Sequence, residues 1–228
     1  MKTRDLQQLA ARITAPMRTM AGEAFLEIVP PTLDLLARGK TAAPEEIAAA
    51  SGKSPEEVRT TLDQFPSAEW DGQGRIVGAG LTLRPTPHRL ELEGRTLFAW
   101  CVLDALLFPV LLRRPASIES PCRGTGEPVR GEVTPAKIET VKPPSAVMSI
   151  VAAQNLVNVR SVVCNNTHVF SSPEAASRWL ERHPEATILP VEEAFRLGRL
   201  IAEGLLIISR PDRPEDTERE RTRGENGR

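Results

Sequence analysis

The chain has 228 residues, of which 40% are apolar, 26% charged and 4% aromatic. This composition is typical of a globular protein and allows one large domain or two small ones with a buried core. A net charge of −1 lacks the basic footprint of a protein whose main partner is nucleic acid. The three cysteines are an odd number, which favours reduced thiols and a cytoplasmic location over a disulfide framework. No apolar signal segment follows residues 1–5, so a secretory signal is not expected.

Residues 97–112 are strongly apolar and carry Asp104 near their centre. A membrane-spanning helix needs roughly 20 apolar residues and disfavours a charge in its middle. The sequence therefore predicts a buried core segment here, and neither a membrane span nor a membrane partner.

The first elements in chain order are helical. Residues 6–38 have the apolar spacing of a helix, which Pro30 and Pro31 are expected to interrupt. Residues 44–50 predict a short helix, which Gly52 can end in the left-handed conformation.

A capping box predicts the next helix, because Ser54 can cap its first turn while Glu57 bonds back to the Ser54 backbone. This helix is expected to run to about Phe65. Residues 68–70 and 75–77 then predict two strands of a β-hairpin joined by a tight turn. Helix, turn, helix and hairpin in this order are typical of a winged-helix module.

Winged-helix modules often bind DNA, and the charge of this one bears on that function. Residues 1–80 contain nine Lys or Arg and eleven Asp or Glu, and the candidate recognition helix carries a single basic residue, Arg59. Phosphate contacts require positive charge. The sequence therefore favours a structural or packing role over DNA recognition, and no nucleic-acid partner is expected.

The rest of the chain mixes short strands with two helices. Strands are predicted at residues 129–133, 138–141, 146–151, 159–164 and 187–189. Helices are predicted to begin at Ser172 and Val191.

These elements predict an α+β protein in three parts. Residues 1–80 form the winged-helix-like part, and residues 81–210 form a mixed α/β part with short antiparallel strands and C-terminal helices. Residues 211–228 contain eleven charged positions and no large apolar side chain, which predicts a disordered tail. The sequence contains no glycine-rich phosphate loop, nucleophile elbow or HExxH motif.

Asp104 is the most unusual candidate residue, because a carboxylate among apolar side chains must be paired or protonated. Cys101 lies three residues earlier, so in a helix the thiol and the carboxyl share one face and can exchange a proton. Spacing alone leaves two interpretations open. Either the two residues form a proton-exchanging pair, or Asp104 bonds to the backbone and Cys101 fills the core.

The other two cysteines have weaker patterns. Cys164 ends an apolar run beside a polar turn, where a ligand can reach a thiol, although a buried structural cysteine fits the same pattern. Cys122 lies in a loop and is interpreted as structural. The three cysteines could join His168 in a zinc site, but their spacings of 21 and 42 residues lack the close pairs typical of structural zinc.

The run at residues 97–109, with Trp100, Cys101 and Asp104, resembles the signature of the alkylmercury lyases, the organomercurial lyases of bacterial mercury resistance. The similarity covers roughly residues 20–205, and the matching segments follow one consistent order. Its further parts are residues 78–83, 120–122, 124–126, 159–161 with Cys164, and 193–195 with 197–198. This family combines a winged-helix-like N-terminal part with a mixed α/β catalytic part.

The resemblance implies a role for four residues. Cys101 and Cys164 match the two thiols that bind mercury, both in the substrate and as the Hg(II) product. Asp104 matches the acid, and Cys122 matches a cysteine regarded as structural.

The resemblance also implies a substrate pocket. Trp100 matches an aromatic residue beside the site, and Phe98 and Val163 take pocket positions where relatives often carry Tyr and another aromatic residue. Asn165 replaces a second cysteine that often follows the distal one. These departures concern pocket shape and product transfer rather than the reaction.

The implied reaction is protonolysis of a carbon–mercury bond, which releases a hydrocarbon and leaves Hg(II) on two thiolates. Thiolates select soft metals, and a buried carboxyl has a raised pKa and can relay the proton. No metal or organic cofactor is implied, and cellular thiols or a mercuric reductase would accept Hg(II). Two alternatives stay open: a thiol-based, metal-responsive winged-helix regulator, and a noncatalytic mercury or copper carrier.

Overall fold

A computed structural model of the protein describes residues 3–64, 68–151 and 159–206. Within these residues the chain forms seven α-helices and eleven β-strands. The helices are α1 (Thr3–Ala37), α2 (Pro44–Ser51), α3 (Pro55–Asp63), α4 (Val102–Leu111), α5 (Val159–Val162), α6 (Pro173–Leu180) and α7 (Val191–Leu206). The strands are β1 (Glu69–Trp70), β2 (Ile76–Ala79), β3 (Leu81–Thr82), β4 (His88–Leu92), β5 (Arg95–Ala99), β6 (Ala116–Pro121), β7 (Pro128–Val133), β8 (Ile138–Lys142), β9 (Val147–Val151), β10 (Val169–Phe170) and β11 (Ala186–Pro190). The predicted helix end at Phe65 and the predicted tail at residues 211–228 lie outside the described residues.

Helix α1 is continuous, so the predicted interruption at Pro30 and Pro31 is wrong. Each proline lacks the N–H that would bond to the carbonyl four residues back. Burial of the apolar face compensates, because Ile28 and Leu36 are fully buried and α1 packs against α7, α2 and α3. The Thr32 hydroxyl also donates to the Ile28 carbonyl at 2.8 Å.

The predicted helix–helix–hairpin order of the N-terminal part is confirmed. Gly52 ends α2 with a φ of 74°, a conformation that glycine adopts without strain. The capping box of α3 is present, with the Glu57 N–H donating to the Ser54 hydroxyl at 3.2 Å and the Ser54 N–H donating to the Glu57 carboxylate at 2.8 Å. Strands β1 and β2 pair antiparallel.

The strands form two antiparallel sheets. The larger has the order β1-β2-β3-β5-β4-β6-β7-β8, and the smaller has the order β10-β9-β11. The hairpin β1–β2 is therefore part of the same sheet as the strands after residue 80. The α+β class is confirmed, and so are the strands predicted near residues 129–133, 138–141, 146–151 and 187–189.

Helices cover the larger sheet, and the first helix, α1, packs against the last described helix, α7. Helix α4 packs on β3–β6, and α7 packs on both α4 and α1. One buried apolar cluster includes residues from α1, the large sheet, α4 and α7. Among the described residues, no helix is both long and apolar enough to cross a lipid bilayer.

The strand predicted at residues 159–164 is wrong, because this segment forms α5 and then a 3₁₀ turn, Cys164–Asn166. Its valines suggested a strand, but local side chains bond to its carbonyls instead. The Asn166 amide donates to the Val162 carbonyl at 2.9 Å, and the Thr167 hydroxyl donates to the Val163 carbonyl at 2.9 Å. Such bonds compete with a sheet ladder and hold Cys164 on a tight turn.

Candidate active site

The start of α4 brings two of the predicted site residues together. Strand β5 ends at Ala99, and Cys101 takes the N-cap position with an extended φ of −149° and ψ of 173°. Asp104 lies in the first turn of α4, as the i, i+3 spacing predicted. The Cys101 carbonyl accepts the Ala105 N–H at 3.1 Å, which fixes the backbone of this turn.

Cys164 contacts the same carboxylate from a different segment of the chain. The 3₁₀ turn that carries it packs against α4 and β9. Both thiols contact one carboxylate oxygen: Cys101 Sγ donates to Asp104 Oδ2 at 3.3 Å, and Cys164 Sγ donates to the same oxygen at 3.5 Å. Two sulfurs and one oxygen therefore converge from segments 60 residues apart in sequence.

Burial determines the protonation of this triad. It raises the pKa of Asp104 to about 6, against the hydrogen bonds from the two thiols and the positive charge of Arg160, which lower it. Burial also raises the pKa of Cys101 well above that of a free thiol. The hydrogen bond with Cys101 lowers the pKa of Cys164, but burial and the charge of Asp104 outweigh it, and the net shift is upward. At neutral pH the site therefore holds two protonated thiols beside an ionised carboxylate that is more basic than usual.

The geometry of the triad is also compatible with binding a metal ion. Its three ligand atoms all lie within 4.8 Å of one another. A zinc–sulfur bond is about 2.3 Å long, so one soft metal ion of similar bond length can reach both sulfurs. Cys122 and His168 are not part of this grouping.

Glu69, on β1, links the N-terminal hairpin to the site. Its side chain is only 10% exposed and accepts three hydrogen bonds from three segments of the chain. The Trp100 indole donates to Oε1 at 3.0 Å, the Thr82 hydroxyl donates to Oε2 at 2.7 Å, and the Arg160 guanidinium forms an ion pair with Oε1. Gly78 leaves room for this carboxylate, because a Cβ there would lie 2.5 Å from Glu69 Oε2.

Arg160 lies over the ring of Trp100, with its guanidinium carbon 4.8 Å from the ring centroid. Its charge lowers the pKa of both Asp104 and Cys164, so it favours the ionised forms of the site. Sequence reasoning gave neither Arg160 nor Glu69 a role. The available signal was an acid in the apolar hairpin strand, between Ala68 and Trp70.

A cavity of about 460 Å³ adjoins Cys164. Trp100 forms part of its wall, and the loop with Cys122 and Arg123 forms another part. Phe98 is half-buried on β5 and Val163 is buried beside Cys164, and neither is among the lining residues. Their assignment to the substrate pocket stays a prediction.

Cys122 is buried, lies outside the triad and holds a loop. Its sulfur accepts the Ser171 N–H at 3.2 Å and contacts the Ser171 hydroxyl at 3.5 Å. Burial raises the pKa of Cys122, but hydrogen bonds with Thr125 and Ser171 outweigh it and lower that pKa to about 7. These bonds tie the loop to the segment after β10, as a structural cysteine would.

Comparison with known proteins identifies the family of the chain. A family model described as alkylmercury lyase matches residues 81–203, and one described as the helix-turn-helix domain of alkylmercury lyase matches residues 6–80. The chain belongs to the alkylmercury lyase family. The resemblance found in the sequence, and the winged-helix-like interpretation of the N-terminal part, are thereby confirmed.

Several alkylmercury lyases are similar over most of the chain. One from Staphylococcus epidermidis is 54% identical over 74% of this chain and 78% of its own length. Others from Bacillus cereus and Pseudomonas putida are 46% and 39% identical, over 88% and 86% of this chain and 92% and 89% of theirs. A crystal structure of the mercury-bound form of MerB2 superposes with a TM-score of 0.75 at 27% identity and covers 89% of this chain and all of that one.

Proposed function

We propose that this alkylmercury lyase cleaves carbon–mercury bonds by protonolysis, with Cys101, Cys164 and Asp104 as its catalytic residues. One observation carries the proposal: a single carboxylate oxygen, Asp104 Oδ2, accepts hydrogen bonds from both thiols. An atom within reach of both donors can collect a proton from either sulfur and return it to a group bound between them.

The first step is capture of the organomercurial. Asp104 accepts the Cys101 proton, and the resulting thiolate bonds to mercury while the original counter-ligand departs. That proton leaves with the counter-ligand, which regenerates the Asp104 carboxylate. Mercury is a soft metal, so sulfur is its preferred ligand.

The second step prepares the proton for carbon. Cys164 bonds to mercury as its own proton passes to Asp104 Oδ2. Two thiolates now donate electron density to the metal, which makes the bound carbon easier to protonate. Asp104 suits this relay because its pKa of about 6 makes it a stronger base than an exposed aspartate and still an effective acid.

Protonation of the carbon then breaks the carbon–mercury bond. The bonding electrons leave with the carbon, which departs as a hydrocarbon, and Hg(II) stays on Cys101 and Cys164. The overall change consumes two thiol protons, one found in the hydrocarbon and one released with the counter-ligand. No oxidant or reductant is required.

We place the enzyme in the cytoplasm, because both thiols must be reduced to act, and name cellular thiols or a mercuric reductase as acceptors of Hg(II). We also propose that residues 1–80 are a packing module and that residues 81–210 carry the chemistry.

The regulator and carrier alternatives are less well supported. Arg59, the one basic residue of α3, lies 5.8 Å from the ring centroid of Trp70, so it packs on the hairpin. A carrier needs two thiol ligands but gains nothing from an acid bonded to both.

The test is hydrocarbon release from phenylmercury in the presence of excess small thiol, with benzene measured in the headspace. We expect many turnovers from the wild type and at least a hundredfold less from Asp104→Ala, since general acid–base groups contribute about 10²–10⁴ in rate. Asp63→Ala, at an exposed aspartate on α3, is the control. Mercury binding without benzene would refute the lyase proposal and support a carrier.

A further inference from the structure

The cavity beside Cys164 is larger than the leaving hydrocarbon requires. A cavity of roughly 150 Å³ is enough to hold benzene, whereas this one measures about 460 Å³. Binding sites for small molecules typically measure about 300–1,000 Å³. Cys164 lines the cavity and Cys101 does not, so a second molecule can approach bound mercury from the Cys164 side.

The lining of this cavity favours an anion. Among the described residues that line it there is one Arg, Arg123, and no Asp or Glu. His88 and His168 also line it, but burial lowers the pKa of each to about 4, so both rings are neutral at physiological pH. Arg123 is therefore the charged side chain of the wall.

Arg123 is available to a ligand. It is exposed, and within the described part of the chain its guanidinium has no carboxylate partner. Its backbone is fixed, because its N–H donates to the Val169 carbonyl at 2.8 Å and the adjacent Cys122 is bonded to Ser171. A guanidinium on a fixed loop binds carboxylates well, since it can donate two parallel hydrogen bonds.

We propose that this cavity is an exchange subsite that binds an anionic, carboxylate-bearing low-molecular-weight thiol, with Arg123 holding its carboxylate while its sulfur attacks mercury beside Cys164. The inference rests on the proposed function, because it concerns removal of the Hg(II) product. Asn165 follows Cys164 directly, lines the same cavity and supplies a neutral amide donor. The chain has no thiol at that position to take mercury onward.

The exchange balances without redox chemistry. The incoming thiol loses its proton, and its thiolate forms a mercury–sulfur bond as the bond from mercury to Cys164 breaks. The released Cys164 thiolate takes up one proton, by way of Asp104. A second thiol replaces Cys101 in the same manner, and mercury leaves as a dithiolate with both enzyme thiols protonated.

The test uses the 228-residue chain loaded with one equivalent of Hg(II), so it does not depend on lyase activity. Radioactive mercury released from the protein is measured after addition of mercaptopropionate, mercaptoethanol or cysteamine, which are anionic, neutral and cationic. Rates are expressed per thiolate, because the three thiols differ in pKa. The variants are Arg123→Gln and Arg123→Lys, and Arg196→Gln on α7 is the matched control for loss of a surface charge.

We expect the wild type and Arg196→Gln to prefer mercaptopropionate over cysteamine by about tenfold, which corresponds to about 1.4 kcal/mol. Arg123→Gln should reduce this preference to about twofold or less, and Arg123→Lys should keep part of it. Raised salt should weaken the preference in the wild type, because the guanidinium is exposed.

Equal rates for the three thiols in the wild type, or an unchanged preference in Arg123→Gln, would overturn the proposal. Benzene release in a single turnover without added thiol separates this failure from failure of the lyase reaction. It should be the same in Arg123→Gln as in the wild type, because Arg123 acts only on the exchange step. A slower single turnover in that variant would also contradict the assignment.

Discussion

Replacement of Asp104 by Asn should make the protein more stable at neutral pH while abolishing its activity. Asn keeps the shape of the side chain but can neither ionise nor relay a proton. The buried carboxylate is costly in the native state, because the surrounding apolar side chains solvate its charge poorly. The ionised carboxylate therefore lowers the free energy of unfolding while it makes Asp104 a stronger base. Removal of the charge should restore part of that free energy.

The magnitude follows from the pKa. Burial raises the pKa of Asp104 from 3.8 to about 6. One pKa unit corresponds to about 1.4 kcal/mol, so ionisation of Asp104 lowers the free energy of unfolding by about 3 kcal/mol at most. A domain of this size gains about 2–4 °C in Tm per kcal/mol. Since Asn also loses the charge-assisted hydrogen bonds from the thiols, we expect a rise in Tm of roughly 5 °C at pH 7.5.

The raised pKa of Asp104 determines how the stability of the protein changes with pH. Between pH 4 and 6 the native state binds more protons at Asp104 than the unfolded state, so stability falls as the pH rises. The loss of stability is absent below the pKa that Asp104 has in the unfolded chain, and it is complete above about pH 6. The advantage of Asp104→Asn should therefore be largest at pH 7.5 and shrink as the pH falls toward 4.

Calorimetric melting at pH 4.5 and 7.5, paired with benzene release, tests this prediction. Asp63→Asn is the control, because that aspartate is exposed. A variant that melts below the wild type at pH 7.5, or one whose difference from the wild type does not change with pH, would refute the claim that the carboxylate is destabilised by burial. Substantial benzene release would remove Asp104 from the proton path.

Three further predictions concern other residues. Cys101→Ser and Cys164→Ser should each lower benzene release at least a hundredfold, because each removes half of the mercury ligands; robust turnover in either would contradict the two-thiol mechanism. Cys122→Ser should lower Tm by a few degrees with an unchanged single-turnover rate, and a selective loss of catalysis would place Cys122 in the site. Glu69→Gln should weaken the ion pair that holds Arg160 and shift the pH profile of kcat/KM, whereas an unchanged profile with only a lower Tm would limit Glu69 to a structural role.

Local sequence signals predicted much of the fold. The capping box of α3 and the glycine after α2 depend on a few adjacent residues, so their structures could be read from spacing. The interruption predicted in helix α1 was wrong because packing against α7, about 160 residues away in sequence, outweighed the local effect of two prolines. The strand predicted at residues 159–164 was wrong for another reason, since local side chains bond to the backbone carbonyls that a strand would have paired.

The site was predictable only where it depends on residues that are close in sequence. The spacing of Cys101 and Asp104 placed them on one helical face, but spacing alone left their chemistry open. Cys164 was joined to them only by family resemblance, because no local pattern specifies a contact across 60 residues. Glu69 was missed because its three hydrogen-bond partners come from distant segments of the chain. Its burial and its contacts can be recognised only in the folded structure.

The most direct test of the account is a single turnover of phenylmercury by the reduced protein in D₂O, with the benzene analysed by mass spectrometry. Both thiols and Asp104 exchange with solvent, so protonolysis predicts one equivalent of benzene that carries a single deuterium. The mercury should stay on the protein with two thiols lost to titration. Benzene without deuterium would contradict proton delivery by this site, and the absence of benzene would contradict the lyase reaction itself.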